Sequence, residues 1–310
     1  MQEKPKTKQG QNDLCRYKFA MLEQTQGLIP GLYTPLRKAK GERPKRRVVH
    51  PHPSIENAIV QHRCYEAFGA DDLKLHLAIL SLKAADVREL DPSPATELGI
   101  TLRKKLELEG VAARQTTATV RCHMNDLLEI TGKGKGGSGV SSIRRGLERG
   151  TGDSMTVYVE KDGKKLTYSE GNALSYAFEE TTGLTVVALH PILGQVLLGQ
   201  SDHFRIVDLV EMRTLTTDCA TILHTFLSCW IRQGEHQTVG IDTLAAHVYG
   251  ATAETPEVLR DRRRRIREAL VEIAGLPRWD VRQAPASRDG LPQVEIRRRK
   301  PRSAKVVAIP

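Results

Sequence analysis

The chain has 310 residues, with 47 lysines and arginines against 37 aspartates and glutamates, a formal charge of +10. That length accommodates two ordinary domains, and the positive surplus points to a polyanionic partner, either nucleic acid or an acidic membrane surface. No apolar run approaches the roughly 18 residues of a membrane span, and the opening MQEKPKTKQGQND has no apolar signal region, so a cytoplasmic protein with no membrane partner is expected. Five cysteines (Cys15, Cys64, Cys122, Cys219, Cys229) are never spaced as C-x-x-C, which argues against a disulfide framework or zinc ribbon and predicts inert, buried thiols.

Within the first 56 residues, PLRKAKGERPKRRVVHPHP mixes lysine, arginine, proline and glycine with little apolar periodicity. It predicts a basic flexible arm over 1–56, either solvated or tracking phosphates. His50 and His52 resemble a metal-ligand pair, but Pro51 removes a strand hydrogen bond, and a solvated loop is expected there. From Asp71, DDLKLHLAILSLKAAD places leucines and isoleucines on several faces of a heavily buried helix. TTATVRCHMNDLLEITG then reads as a second helix through Val120, Met124 and Leu127, ended by Gly132.

The turn GKGKGGSG carries Lys133 and Lys135, and a third helix follows with Val140, Ile143 and Leu147 inward. At about 100° per residue, Ser141, Ser142, Arg145 and Arg149 fall on the opposite face, with Arg144 beside them. Alternation at Met155, Val157 and Val159 and an Asp-Gly turn in KDGK predict a hairpin tipped by Lys161, Lys164 and Lys165. Helix, turn, helix, hairpin is the order of a winged helix. Its second helix lies in the DNA major groove while the hairpin touches flanking phosphates.

The plan recurs after an apolar stretch, LTVVALHPILGQVLLGQSDHFRIVDLVEM, that reads as a strand over Leu184 to Leu189, a short helix begun by Pro191 and a strand over Phe204 to Leu209; it either joins the units rigidly or offers an edge for self-association. TLTTDCATILHTFLSCWIRQG is a core helix, GIDTLAAHVYG a short helix ended by Gly250, and TPEVLRDRRRRIREALVEIAGL a longer one before two strands around a Gly/Pro loop. In the long helix Leu259, Ile266, Leu270 and Ile273 face inward, leaving Arg260, Arg264 and Arg265 outward and Arg263 and Arg267 on a flank. The expected fold is therefore α+β with two tandem winged-helix domains, 57–200 (including the apolar connecting segment) and 201–300, and a tail over 301–310.

Enzyme chemistry is hard to find. After Gly132 and Gly137, Ser138 and Gly139 stand where a phosphate loop demands Lys and Ser/Thr. Cys122 and His123 point to different helix faces, and Cys219 with His224 has no matching pair, so no metal and no cofactor is expected. No nucleophile, base and orienter fall at any local spacing, so no catalytic residue is assigned. The alternatives are a winged-helix repressor reading one palindrome and, further off, a nickase using Tyr158, Tyr168 or Tyr176.

Taken in order, PGLYTPLRKAKGERPKRR, GADDLKLHLAILSLKA, VVALHPILGQVLLG, RIVDLVEMRTLTTDCATILHTFLSCWI, IDTLAAHVYG and RDRRRRIREALVEIAGL resemble the RepC-type replication initiators of IncQ-like broad-host-range plasmids, within the wider class of iteron-binding initiators. The resemblance implies two winged helices that bind directly repeated double-stranded sequences (iterons) at a plasmid origin, open an adjacent AT-rich segment and help bring in the plasmid's helicase and primase, without catalysis. It implies recognition helices over 138–149 and 255–276, with Arg145, Arg149, Arg260, Arg263, Arg264 and Arg267 as contacts. Glu148 departs from that basic set and either pairs with a neighbour or accepts from a cytosine amino group. Exchange between homodimer and monomer, acting at Leu184 to Leu198, is a further implication.

Overall fold

A computed structural model describes residues 17–36, 43–52, 56–82, 86–161, 164–250 and 255–300. Its first elements lie within the expected arm. Strand β1 (Phe19–Glu23) pairs antiparallel with β11 (Phe204–Asp208), helix α1 (Gln24–Leu28) follows, and β2 (Arg46–Pro51) pairs with β3 (Ala58–Cys64). The arm is thus corrected over its described part: alternation in FAMLE buries Ala20 and Leu22 against the core. Residues 1–16, 37–42 and 53–55 of it, Cys15 included, lie outside the described residues. The loop expected at His50 and Pro51 is the end of a strand, which tolerates Pro51 because β2 is at a sheet edge.

Helix α2 (Ala70–Ser81) is the buried helix expected from the leucine pattern, with Leu73, Leu75, Leu77 and Ile79 at most 1% exposed. Strand β4 (Val87–Leu90), helix α3 (Glu97–Leu106) and the two-residue β5 (Glu109–Gly110) come next. The second expected helix is corrected in its first half: Thr117–His123 is strand β6, and only Met124–Thr131 is helix, α4. The β-branched run of Thr117, Thr119 and Val120 favours extended backbone, and the sequence passes from strand to helix without a glycine or proline to mark it.

Helix α5 (Gly137–Thr151) leads into β7 (Asp153–Lys161) and β8 (Lys164–Asn172), followed by β9 (Leu174–Phe178), β10 (Leu184–Leu189) and α6 (Pro191–Leu197). The β7–β8 hairpin does not stand alone; it lies inside a five-stranded antiparallel sheet ordered β2-β3-β7-β8-β5. The possibility that Leu184 to Leu189 offers an exposed edge is also corrected. β10 is an interior strand of the sheet β4-β6-β10-β9, bonded to β6 on one side and β9 on the other.

After β11 come α7 (Leu209–Thr214), α8 (Asp218–Trp230), β12 (His236–Gly240), α9 (Ile241–Tyr249), α10 (Pro256–Ala274), β13 (Trp279–Ala284) and β14 (Gln293–Arg298); β14 pairs with both β12 and β13 in an antiparallel sheet ordered β12-β14-β13. The two expected units share one buried core: Leu22, Leu73 and Leu77 belong to the same cluster as Leu223, Leu227 and Ile273. Their junction is close. Gly31 and Gly250, both left-handed (φ +69° and +68°), meet back to back, where a Cβ on Gly31 would sit 2.4 Å from the Gly250 Cα. Arg46 clamps the pair, donating to Thr34 Oγ1 and the Tyr249 carbonyl, both at 2.9 Å.

Candidate nucleic-acid interface

In the first unit α4 ends on Gly132, which takes the left-handed C-cap conformation, φ +71°. The turn then delivers α5, whose Ile143 and Leu147 are fully buried. A second face of α5 is buried as well. A Cβ on Gly146 would lie 2.5 Å from Leu75 Cδ2, and one on Gly150 2.6 Å from Leu174 Cδ2, so the glycines let α2 and β9 approach the helix axis.

Arg149 lies on this second face, which corrects its expected outward position. Its Nε and Nη2 donate to Asp72 Oδ1 at 2.8 and 2.7 Å, and its side chain is 9% exposed. Asp72, buried near the start of α2, also accepts from the Gly69 backbone N–H at 2.8 Å and from Arg43. Arg149 is therefore a strut between α5 and α2, and its neutralised charge is unavailable to phosphate.

What remains outward on α5 is a stripe of Ser138, Ser141, Arg145 and Glu148, all exposed, with Ser142 half-buried beside it. Arg145 makes no hydrogen bond or ion pair among the described residues. Arg144 is half-buried, its guanidinium 4.3 Å from the centre of the Phe178 ring and its Nη2 3.4 Å from Glu180 Oε1. In the turn, Lys135 is exposed, whereas Lys133 pairs with Asp71 at 3.0 Å. At the hairpin end the backbone register sets Lys161 opposite Lys164 and Glu160 opposite Lys165; the lysine side chains lie outside the described residues.

The second unit repeats the order. Helix α9 ends on left-handed Gly250, and α10 begins with Thr255 capping the Val258 N–H and Pro256 in its first turn. Ile266, Leu270 and Ile273 are buried and Leu259 is half-buried. The six arginines of this helix share it with four carboxylates.

Arg260 pairs with Glu257 at 2.8 Å, and Arg264 with Asp261 and Glu268 at 2.6 Å each, all on the exposed face. Arg265 adds a 2.9 Å pair to Asp261, and these arginines hold that carboxyl below its ordinary range. Arg263 is held more firmly: Nε and Nη2 grip the two oxygens of Asp242 on α9 at 2.6 Å, depressing the Asp242 pKa. Arg267 is exposed and makes no hydrogen bond among the described residues.

The exposed pairs are worth about 0–1 kcal/mol each, so Arg260 and Arg264 give them up at little cost. Arg263 and Arg149 have mainly orienting roles. Sequence reasoning missed Asp72, Asp242 and Arg46. The signal for the first was the pair Gly146 and Gly150, since two helix-interior glycines four residues apart mark a close neighbour. Among the described residues no cluster of three or more metal-ligating side chains occurs, and Cys64, Cys122, Cys219 and Cys229 are buried free thiols.

The two units, each with a helix pair followed by a hairpin, sit in a mixed α/β fold similar to that in a crystal structure of a selenomethionine derivative of domains 2 and 3 of RctB. The TM-score is 0.52 at 11% identity, covering 90% of this chain and 99% of that one. A second crystal structure of RctB domains 2–3 gives a TM-score of 0.45 at 10% identity, covering 86% of this chain and 95% of that one. The chain belongs to the Replication protein C (RepC) family, whose model matches residues 16–290, and its role is in replication. No curated protein sequence matches it significantly. No helix among the described residues is long and apolar enough to cross a membrane.

Proposed function

We propose that this protein initiates plasmid replication from the cytoplasm by binding directly repeated duplex sequences through two winged-helix units, and that it acts by binding, without catalysis. The observation that carries this reading is the repetition: α4–α5 with the β7–β8 hairpin, then α9–α10 with β13–β14, each with an exposed polar or basic stripe on its second helix. Membership of the RepC family supports the replication role. A helix of that kind fits the major groove, where Arg145 is placed to donate to guanine, while the hairpin lysines and the α10 arginines hold phosphates.

Binding of several copies along direct repeats distorts the duplex and opens the neighbouring AT-rich segment, and the bound array then serves as the platform for helicase and primase. Homodimerisation, where it occurs, uses a surface other than β10. Footprinting on the cognate origin tests the proposal. Regularly spaced protected blocks in one orientation are expected; a single block over an inverted pair would make the protein a repressor instead. Relaxation of supercoiled plasmid with a divalent cation present would mean a nickase.

A further inference from the structure

The positive charge of α10 is largely answered by its own carboxylates. On the five-stranded sheet it is not. Successive side chains of a strand alternate faces. Ala58, Val60, His62 and Cys64 of β3 point into the core, and Val157 of β7 does the same, so Arg63 and Tyr158 lie on the outer face with Arg47 of β2.

Arg47 and Arg63 are directly opposed across β2 and β3. Neither they nor Lys45 form an ion pair with the described carboxylates. Arg47 donates to Gln61 Oε1 from Nε and Nη2 at 3.0 and 2.6 Å, and Arg63 Nη2 donates to the Tyr158 hydroxyl at 3.3 Å. Beneath this layer two buried polar groups, Gln61 Nε2 and Thr156 Oγ1, have no hydrogen-bond partner. The acidic residues of this face lie on β5, β7 and β8: Glu109 opposite Glu170, Glu170 opposite Thr156, and Glu160 opposite Lys165; none forms an ion pair with Arg47, Arg63 or Lys45.

Aromatic rings are scarce in the chain, at 5% of residues, yet three tyrosines stand on this sheet. Tyr65, at the end of β3, is 64% exposed with the Lys45 ammonium 5.1 Å from its ring centre, and Tyr168, at the bulge of β8, is 40% exposed. No other tyrosine among the described residues is exposed to that degree. Three uncompensated cations beside accessible rings form the pattern that holds an unpaired strand, in which cations track the backbone and rings stack on bases. Duplex bases are already stacked on one another and offer such rings nothing. The surface is also continuous with the β7–β8 hairpin of the first unit.

We infer that the outer face of the β2-β3-β7-β8 sheet, through Lys45, Arg47, Arg63, Tyr65, Tyr158 and Tyr168, binds single-stranded nucleic acid at a site separate from the helix faces that read duplex. The inference rests on the duplex-binding reading for its place in origin opening, but not for its test.

The full-length chain and two variants are titrated with a fluorescent 15-nucleotide oligothymidylate and, separately, with a duplex carrying the origin repeats. One variant combines Arg47→Ala, Arg63→Ala and Tyr65→Ala; the other is Arg145→Ala. The triple variant is expected to lose tenfold or more in affinity for the single strand and less than twofold for the repeat duplex, while Arg145→Ala does the reverse. Tyr65→Phe, which keeps the ring, is expected to retain single-strand binding, and this separates stacking from folding. Unchanged single-strand affinity in the triple variant would overturn the inference. A loss confined to the duplex would overturn it too and would make the face a grip on duplex backbone. Failure of the wild type to prefer repeat duplex, with single-strand binding intact, would sink the duplex reading alone.

Discussion

Helices α5 and α10 occupy the same place in their units, yet they manage charge in opposite ways. Outward, α5 is sparse: serines, one unpaired Arg145 and Glu148, with its other arginines held elsewhere, Arg144 over the Phe178 ring beside Glu180 and Arg149 drawn inside to Asp72. Helix α10 is dense, and most of its arginines are bound to carboxylates three or four residues away or to Asp242. On the proposed reading, unpaired Arg145 is the residue suited to discriminate between bases. A laced row of exposed pairs gives adjustable, sequence-blind attraction to phosphate. The comparison teaches that the count of arginines on a helix is a poor guide to how many of them are free of an intramolecular partner.

The largest effect falls on the strut inside the first unit. Asp72→Ala leaves Arg43 without its carboxylate, Arg149 with only Glu66 at 3.6 Å, and the Gly69 N–H uncapped, and a loss of about 3 kcal/mol is expected in denaturant unfolding. Arg264→Ala in the second unit, by contrast, is expected to stay within about 1 kcal/mol. The glycine face of α5 comes next. Gly146→Val drives a side chain into Leu75 and is expected to cost about 1–3 kcal/mol, with no counterpart in α10.

Each unit also buries a neutral histidine, and burial holds both His190 and His247 down at about 3. The unfolded chain therefore binds more protons than the folded one between pH 6.5 and 3. Stability contributed by each is complete above 6.5 and is lost on acidification at up to about 1.4 kcal/mol per pH unit. Glu23, pushed up to about 7 by burial, acts in the opposite sense: its contribution is full below its unfolded value and lost as pH rises through 7. Glu23→Gln should therefore steepen the decline between pH 6.5 and 5, read as urea midpoints across that range. The smallest effect in stability is the most telling in binding. Arg264→Ala should weaken specific and random duplexes alike and reduce the magnitude of the salt slope, near −7 for about eight phosphates, by about one.

The helices were legible wherever apolar residues recurred at helical spacing, on several faces in α2 and as one stripe in α8, α9 and α10, and left-handed Gly132 and Gly250 marked the ends of α4 and α9. Strands β7, β10 and β11 were legible by themselves, but the pairing of strands distant in sequence was not. β1 pairs with a strand beginning at Phe204, and β3 with β7 nearly a hundred residues on; no local pattern specifies such pairings, and the basic composition around β2 disguised it as an arm. The site divided in the same way. Helical spacing was enough to set Ser141 and Arg145 outward, but the inward turn of Arg149 depends on Asp72, which only packing of α2 against α5 brings near.

The most direct test of the central claim is a paired equilibrium titration of wild type and Arg145→Ala against a duplex of the origin repeats and a random duplex of equal length, at one fixed salt concentration. The account predicts that Arg145→Ala lowers affinity for the repeats by about 1–3 kcal/mol and leaves random duplex within twofold of wild type. Equal losses on both duplexes would contradict it.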